Sequence, residues 1–221
     1  MITLLSLVGI AHAQDPIDLG VLRNEEIKVV QARLYPKDGS SELGGGLMLL
    51  PVEAYTLGFA GEFWYGQHLS ETLAWTARLG AGWHTGNGHW GELTSPAYGV
   101  VPEAYGYVAS LMGGAEWAPI YAKMAWTDGR VRHNDLYVPL LVGGTVERIV
   151  EDELLESGGS PWSIAPTIGV GIGTRVFRVK GGAIKVEIRD DVLVQPRASG
   201  VWRPKQNIGV HVGYASLKAP E

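Results

Sequence analysis

The chain of 221 residues has no cysteine, no long apolar run and no excess of positive charge. The lack of cysteine excludes disulfides, thiol catalysis and cysteine-ligated metal sites. No apolar stretch approaches the roughly 18 residues that a membrane-spanning helix needs. The formal net charge of -5 argues against nucleic acid as the main partner. A chain without cysteine is compatible with an envelope protein.

Glycine and amphipathic aromatic residues are abundant instead. Glycine occupies 31 positions, about twice its usual share of roughly 7%. The 8 Trp and 9 Tyr outnumber the 3 Phe, a bias typical of residues at a membrane–water interface. The mean hydropathy is +0.05, near zero. Strands that alternate between an apolar face and a small or polar face produce this combination.

The clearest alternation lies in residues 167–176, where Ile168, Val170 and Ile172 are separated by glycines. Successive strand residues point to opposite faces, so this strand has one apolar face and one small face. A soluble β-sandwich would seldom pave its second face with glycine. A membrane barrel places bulky residues against lipid and small ones in a narrow lumen. The pattern predicts an outer-membrane β-barrel.

Period-two alternation predicts eight strands, at 41–50, 54–66, 70–84, 108–128, 134–146, 162–177, 182–194 and 206–216. The fourth strand is joined across Ala118-Pro119, where the inward parity changes, because an extra residue with a proline is typical of a β-bulge. The connections 67–69, 129–133 and 178–181 are then short, as periplasmic turns should be, and 85–107, 147–161 and 195–205 are long, as extracellular loops should be; the outer connection Pro51–Glu53 is a short exception. The predicted fold class is all-β, an eight-stranded antiparallel transmembrane β-barrel over 41–217 with a short N-terminal helical segment.

The N-terminal region does not alternate. Residues 1–13 resemble a signal peptide that lacks its basic region, with Ala11-His12-Ala13 as the cleavage motif. Residues 14–40 are predicted to be a periplasmic segment with a short helix that Asn24 caps and Pro36 ends. This segment is expected to pack on the barrel rim, fill the lumen or contact an envelope protein.

Charged residues recur at inward positions and are predicted to form a charge network in the lumen. Buried charges must be paired, and an eight-stranded barrel is just wide enough for side chains to fill it. We therefore interpret the network as a polar core that seals the barrel, with a narrow pore or a ligand pocket as alternatives. His211 is expected to form hydrogen bonds in this core. The predicted network comprises Glu42, Glu62, Arg78, Glu116, Lys123, Asp135, Glu147, Arg175, Lys185, Glu187 and Arg189.

Two further groups of residues fit a membrane barrel. An aromatic girdle is predicted from outward residues near the strand ends, namely Tyr55, Phe63, Tyr65, Trp75, Trp83, Trp117, Trp126, Trp162 and Tyr214. Asn207, Gly209, Val212 and Tyr214 are similar to the C-terminal β-signal read by the barrel assembly machinery, which runs polar, glycine, hydrophobic, aromatic. The chain departs from that signal because residues 215–221 follow the aromatic.

The chain has little that indicates catalysis. His84 and His89 lie near Glu92 and Ser95, but the polarity of a loop accounts for all four. The histidine spacing does not match a zinc site, and the glycines at 44–46 lie in a strand rather than before a helix. We predict no enzyme activity, cofactor or metal.

Two predicted loops are strongly biased in charge. Loop 147–161 is acidic and is expected to be solvated. Transient binding of divalent cations that bridge lipopolysaccharide is the alternative. The acids of this loop are Glu147, Glu151, Asp152, Glu153 and Glu156. Loop 195–205 carries Arg197, Trp202, Arg203 and Lys205, which suit contact with lipid phosphates. Outer-membrane lipid and lipopolysaccharide are therefore the expected partners.

Four segments carry a resemblance to a known family. Tyr98–Tyr105, Trp117–Lys123, Gly169–Arg175 and Val186–Asp191 resemble segments of the small outer-membrane β-barrel proteins of myxobacteria and related deltaproteobacteria. The resemblance implies an outer-membrane barrel without a defined chemistry. The expected function is non-enzymatic, a structural or interaction role in the cell envelope exerted through residues 14–40 or the loops. A narrow pore is the alternative, a lipid-modifying enzyme ranks third, and a soluble lipocalin-like barrel is the rival fold.

Overall fold

Eight strands form a closed β-barrel. The computed structural model describes residues 35–125, 131–150, 161–178, 181–197 and 200–219. Its strands are β1 (Ser41–Val52), β2 (Thr56–His68), β3 (Leu73–Gly86), β4 (Tyr105–Ala125), β5 (Val131–Ile149), β6 (Trp162–Arg178), β7 (Gly182–Pro196) and β8 (Trp202–Lys218). Each strand pairs antiparallel with the next, and β1 pairs with β8 to close the ring. The prediction of an all-β fold with eight antiparallel strands is confirmed.

The two ends of the barrel differ in the length of their connections. At the turn end, the strands are joined by the short segments 69–72, 126–130 and 179–181. At the loop end, they are joined by 53–55, 87–104, 150–161 and 197–201. A short helix, α1 (Gly88–Leu93), begins the longest of these, and the Asn87 side chain caps it by accepting a hydrogen bond from the Trp90 backbone.

The predicted loop 195–205 is wrong in extent. Strands β7 and β8 remain paired as far as Pro196 and Trp202, so the connection is only 197–201. The basic residues therefore lie mostly on a strand, where alternation turns Lys205 toward the interior.

The long strand β4 contains the predicted bulge. Trp117 pairs with Val138 and Ile120 pairs with Leu136, so three steps on β4 match two on β5. Joining the two halves of β4 across Pro119 is therefore confirmed. Two further register shifts, after Tyr107 and after Leu49, were not predicted because they adjoin the ends of the predicted strands, where little alternation remains.

The outer surface of the barrel is apolar and the interior is polar. Outward side chains such as Leu47 and Ile164 are 75% and 71% exposed, whereas inward Glu42 and Arg78 are 3% and 4% exposed. This distribution is the reverse of that in a lipocalin-like barrel, which buries its apolar residues inside. Among the described residues, no helix has the length and apolar character needed to cross a membrane.

The inward glycines make room for large aromatic rings. Gly44 lies opposite Trp64 in the β1–β2 ladder, and Gly173 lies opposite Tyr137 in the β5–β6 ladder. A Cβ atom on either glycine would overlap the facing ring. The sequence analysis explained the glycines by a narrow lumen but did not identify these rings, although Trp64 and Tyr137 both have inward parity.

The residues before β1 pack into the turn end. The Tyr35 ring stacks on Phe177 with 5.2 Å between centroids, and the Lys37 ammonium donates to Asp135 at 2.5 Å. Lys37 is only 1% exposed, so this segment inserts its side chain between the strands. Burial lowers the pKa of Lys37, and the Asp135 carboxylate opposes that shift. The predicted signal peptide and N-terminal helix, within residues 1–34, lie outside the described residues.

Candidate functional site

Charged side chains from seven strands and from the segment before β1 meet inside the barrel. We call them the central charge cluster. Each member is at most 6% exposed. Six are acidic and five are basic, so the charges nearly cancel; the members are Lys37, Glu42, Glu62, Arg78, Glu116, Asp135, Arg175, Lys185, Glu187, Arg189 and Asp191.

In the turn-end half of the cluster, Arg175 pairs with carboxylates from three strands. Its guanidinium lies 2.7 Å from Glu116, 2.9 Å from Glu42 and 3.0 Å from Asp135. The Lys185 ammonium reaches the same Glu42 and Glu116 carboxylates at 2.9 Å. Charge-assisted hydrogen bonds hold each of these ions, while Asp135 Oδ1 and Arg175 Nε have no hydrogen-bond partner among the described residues.

Arg78 and Arg189 organise the loop-end half. Arg78 lies 2.8 Å from both Glu116 and Glu187, which links it to the turn-end half. Arg189 contacts Glu187 at 2.9 Å and Glu62 at 2.8 Å. The two arginines therefore share Glu187, and the ion pairs form one connected network rather than separate pairs.

Aromatic rings and close packing fill the space around the network. Lys185 and Arg175 lie over the Tyr137 ring, 4.7 and 5.1 Å from its centroid, within the range of cation–π interactions. A void lined by Trp64 and Arg78 among others has a volume of about 10 Å³. That is roughly the minimum space for one water molecule. At this level side chains, rather than solvent, occupy the lumen.

Nine of the eleven predicted network residues belong to the central charge cluster. The two exceptions are Lys123, whose side chain is exposed near the turn end, and Glu147, which lies at the loop end with Lys205. The Lys123 assignment to the lumen is wrong because β4 has passed the buried part of the barrel by that residue. Lys37 and Asp191 were missed. Lys37 precedes the strands and gives no parity signal, whereas the inward parity of Asp191 beside Arg189 was readable.

A second site, the loop-end pocket, lies where β1, β4, β7 and β8 meet the loops. Its volume is about 200 Å³, more than ten times the roughly 10–15 Å³ that a cavity needs to hold one water. Exposed Ala54 and Gln206 form part of its wall, so the pocket reaches the surface. Its lining comprises Glu53, Ala54, Tyr55, Thr56, Glu103, Ala104, Tyr105, Arg197, Lys205 and Gln206.

Two buried carboxylates share one ammonium beside this pocket. The Lys205 Nζ donates to Glu147 Oε1 and to the Tyr105 carbonyl, both at 2.6 Å, and lies 3.6 Å from Glu53 Oε1. The side chains of Glu53 and Glu147 are 1% and 0% exposed. The second oxygen of each carboxylate has no hydrogen-bond partner among the described residues. Burial, and secondarily the Glu147 charge, raise the pKa of Glu53 to about 7, while Lys205 acts in the opposite direction.

The predicted girdle residues lie mostly on the outer surface. Exposed aromatic residues lie toward the turn end at Tyr65, Trp75, Trp117 and Tyr214, and toward the loop end at Trp83 and Trp162. Two assignments are wrong in position. Phe63 pairs with Leu79 in the middle of the apolar surface, and half-buried Tyr55 lines the loop-end pocket. Trp126 lies outside the described residues.

The residues similar to the assembly signal all lie on β8, the strand that closes the ring against β1. Asn207 is 1% exposed and Gly209 is also buried, whereas Val212 and Tyr214 are 50% and 53% exposed. The polar and glycine positions therefore face inward, and the hydrophobic and aromatic positions face outward.

Two of the histidines singled out in the sequence, His84 and His211, have hydrogen-bond partners within the barrel. His211 Nδ1 lies 3.3 Å from Glu62 Oε2, so its predicted place in the polar core is confirmed. His84 Nδ1 lies 3.1 Å from the Tyr107 carbonyl oxygen. Within the described segments, no group of three or more histidine or carboxylate side chains has an arrangement that could hold a metal ion. Most of the acidic loop, residues 151–160, lies outside the described residues.

Comparison with known proteins adds little to this picture. No protein-family model matches the chain, and no curated protein matches it. The resemblance to the barrels of myxobacteria therefore stays a prediction. Among solved structures, the chain is similar to a major outer membrane protein from Thermus thermophilus at 10% identity, covering 80% of this chain and 99% of that one with a TM-score of 0.34.

Proposed function

We propose that this protein is an outer-membrane β-barrel with a sealed lumen and a non-enzymatic structural or interaction role in the cell envelope. The observation that carries the proposal is the pairing of an apolar outer surface with a lumen filled by the central charge cluster. The first property suits lipid, and the second gives no open path for solutes.

The outer surface supports a location in a membrane. Strand after strand presents large aliphatic residues outward, including Leu79, Leu111, Val142 and Ile168, each 55–64% exposed. A contiguous apolar band of this extent is a liability for a soluble monomer. Closure of the barrel pairs every strand edge, which is the condition for crossing a bilayer with strands. The outer membrane of a Gram-negative cell is where such barrels reside.

The interior supports a sealed barrel over a pore. To open a conducting path, the network would have to release ion pairs such as Arg78–Glu187 and Arg175–Glu116, at 2.8 and 2.7 Å. Separating such a pair costs about 3–5 kcal/mol where one ion is left buried without its partner. In this proposal the loops and the segment before β1 carry any partner specificity, lipid and lipopolysaccharide contact the exterior, and the barrel assembly machinery recognises β8.

The membrane location is tested with a charge placed on the outer surface. We expect the wild-type protein to stay in the membrane after a urea wash and to migrate faster on a gel when unboiled. Leu111→Arg should lower the folded, fast-migrating fraction, because arginine near the bilayer centre costs about 2–4 kcal/mol. Val201→Arg is the control, since Val201 is exposed in the connection 197–201. If Leu111→Arg is soluble and folded, the outer surface faces water and the proposal is wrong.

The sealed lumen is tested in planar bilayers. The purified wild-type protein should give no steady conductance at neutral pH. A steady ohmic conductance whose ion selectivity changes in Glu62→Gln would show that ions pass through the lumen. That result would replace the structural role with the narrow pore.

A further inference from the structure

We propose that the loop-end pocket binds a small organic cation, a primary ammonium compound, through the Glu53 carboxylate. This inference goes beyond the proposed structural role and does not depend on it. It rests on unmet hydrogen-bonding capacity, on the balance of buried charge and on available space.

Unmet hydrogen-bonding capacity at the site is on the acceptor side. Glu53 lines the pocket, its side chain is 1% exposed, and its Oε2 atom has no partner among the described residues. Glu147 lies behind Lys205 with its own Oε2 also without a described partner. Buried acceptors without partners are costly, so the pocket favours a molecule that donates hydrogen bonds. An anion would supply only more acceptors.

The charge balance favours a cation among such donors. The buried carboxylates of Glu53 and Glu147 share the single ammonium of Lys205. The remaining basic residue of the lining, Arg197, donates to the Glu103 carbonyl oxygen at 3.2 Å. Glu53 is the less closely paired of the two carboxylates, because its Oε1 lies 3.6 Å from the Lys205 ammonium, beyond hydrogen-bond distance. Burial, and secondarily the Glu147 charge, raise the pKa of Glu53, and a cation bound beside its carboxylate would oppose both effects.

The side chain of Lys205 shows how this site holds an ammonium group. Its ammonium donates hydrogen bonds to the Glu147 Oε1 atom and to the Tyr105 carbonyl oxygen, each 2.6 Å away, which uses two of its three N–H donors. Tyr55 and Tyr105 also belong to the lining next to Glu53. The volume of about 200 Å³ accommodates an ammonium group with a short carbon chain. A metal ion fits less well, because the described residues offer no cluster of three ligands.

The test uses the whole refolded barrel in deuterated detergent micelles at pH 8, where Glu53 is mostly ionised. The probe is n-propylammonium chloride, followed by saturation-transfer NMR from protein to probe. Sodium propionate has a similar size and the opposite charge, and magnesium chloride tests for a metal site. We expect transfer to n-propylammonium, none to propionate and no displacement by magnesium.

Three variants separate the proposed site from nonspecific attraction. Glu53→Gln should weaken probe binding by at least about tenfold, since it removes a charged acceptor. Arg197→Gln should strengthen binding up to about fivefold, because it removes a positive charge from the lining. Glu92→Gln, an exposed acid on α1, should change binding by less than about twofold.

The outcomes are decisive even if one variant folds poorly, because Glu53→Gln and Arg197→Gln change binding in opposite directions. Gel mobility of unboiled samples confirms that each variant is folded. Equal binding to Glu53→Gln and wild type would overturn the proposal, as would preferential binding of propionate. Absence of probe binding to wild type would overturn it too, and displacement of the probe by magnesium would overturn it in favour of a metal site.

Discussion

Arg189 is the residue of the central charge cluster whose removal should be most damaging. It is 1% exposed and contacts three carboxylates at 2.8–2.9 Å, namely Glu62, Glu187 and Asp191. In Arg189→Met, Glu187 would keep Arg78 at 2.8 Å and Glu62 would keep the same arginine at 3.5 Å. Asp191 would keep no cation in contact among the described residues, so the variant leaves one buried carboxylate uncompensated.

The expected loss of stability follows from the one buried carboxylate, Asp191, that is left without a cation. Breaking a buried pair by removing one partner costs about 3–5 kcal/mol in the free energy of unfolding. With a urea dependence of about 2 kcal/mol per molar, the midpoint should fall by roughly 1.5–2.5 M. Urea unfolding in detergent micelles, followed by tryptophan fluorescence, measures this shift. Arg178→Met is the matched control, because Arg178 is exposed at the end of β6, and it should change stability by less than about 0.5 kcal/mol.

A second substitution tests the cause of the loss. Adding Asp191→Asn to Arg189→Met removes the uncompensated charge and should restore at least about 1 kcal/mol. The reasoning is refuted if Arg189→Met is no less stable than the Arg178→Met control. It is also refuted if the losses from the two substitutions simply add, because then Arg189 and Asp191 are not energetically coupled.

Three other predictions concern packing, pH and assembly. Gly44→Ala should lower the free energy of unfolding by about 1–3 kcal/mol, because its methyl group would overlap Trp64. Gly45→Ala should lower it less, because the nearest atom to its methyl group is Glu62 O at 3.5 Å. Equal losses of the two variants in urea unfolding would contradict this. Because the pKa of Glu53 is raised from 4.5 to about 7, the folded state holds a proton there that the unfolded state releases. Wild-type stability should therefore fall between about pH 5 and 8, by up to the order of 3 kcal/mol, and this slope should flatten in Glu53→Gln but persist in Glu92→Gln. Tyr214→Ala should reduce the folded fraction in cells while the same variant refolds in detergent; normal accumulation in cells would argue against recognition of β8 by the assembly machinery.

The architecture was readable from the sequence because alternation repeats in every strand. In a strand such as β6, with Ile168, Val170 and Ile172 on one face, the alternation alone indicates which face is apolar. Eight strands with the same pattern predict a closed ring with its apolar face outward. The bulge at Pro119 was readable because it inverts the parity of the residues that follow it. Strand ends were less accurate, since the hydrogen-bonded ladder of β7 and β8 continues where the apolar face has already ended.

The candidate site was only partly predictable. Parity placed nine members of the central charge cluster in the lumen, but parity does not say which charges meet across it. The loop-end pocket was missed because Glu53 lies in a three-residue connection and Lys205 lay in a predicted loop. Its carboxylates become neighbours only when β1, β5 and β8 are closed into one ring, a long-range relation without a local signal.

The central charge cluster also sets the mechanical behaviour of the ring. Backbone hydrogen bonds join only neighbouring strands, whereas Arg78–Glu187 joins β3 to β7 and Arg175–Glu42 joins β1 to β6. These ion pairs connect strands that are not neighbours and so oppose an increase in the diameter of the barrel. Widening the ring would require several of these pairs to separate together, since they share carboxylates within one connected network. The cluster therefore resists widening of the ring at its own level, in addition to filling the lumen.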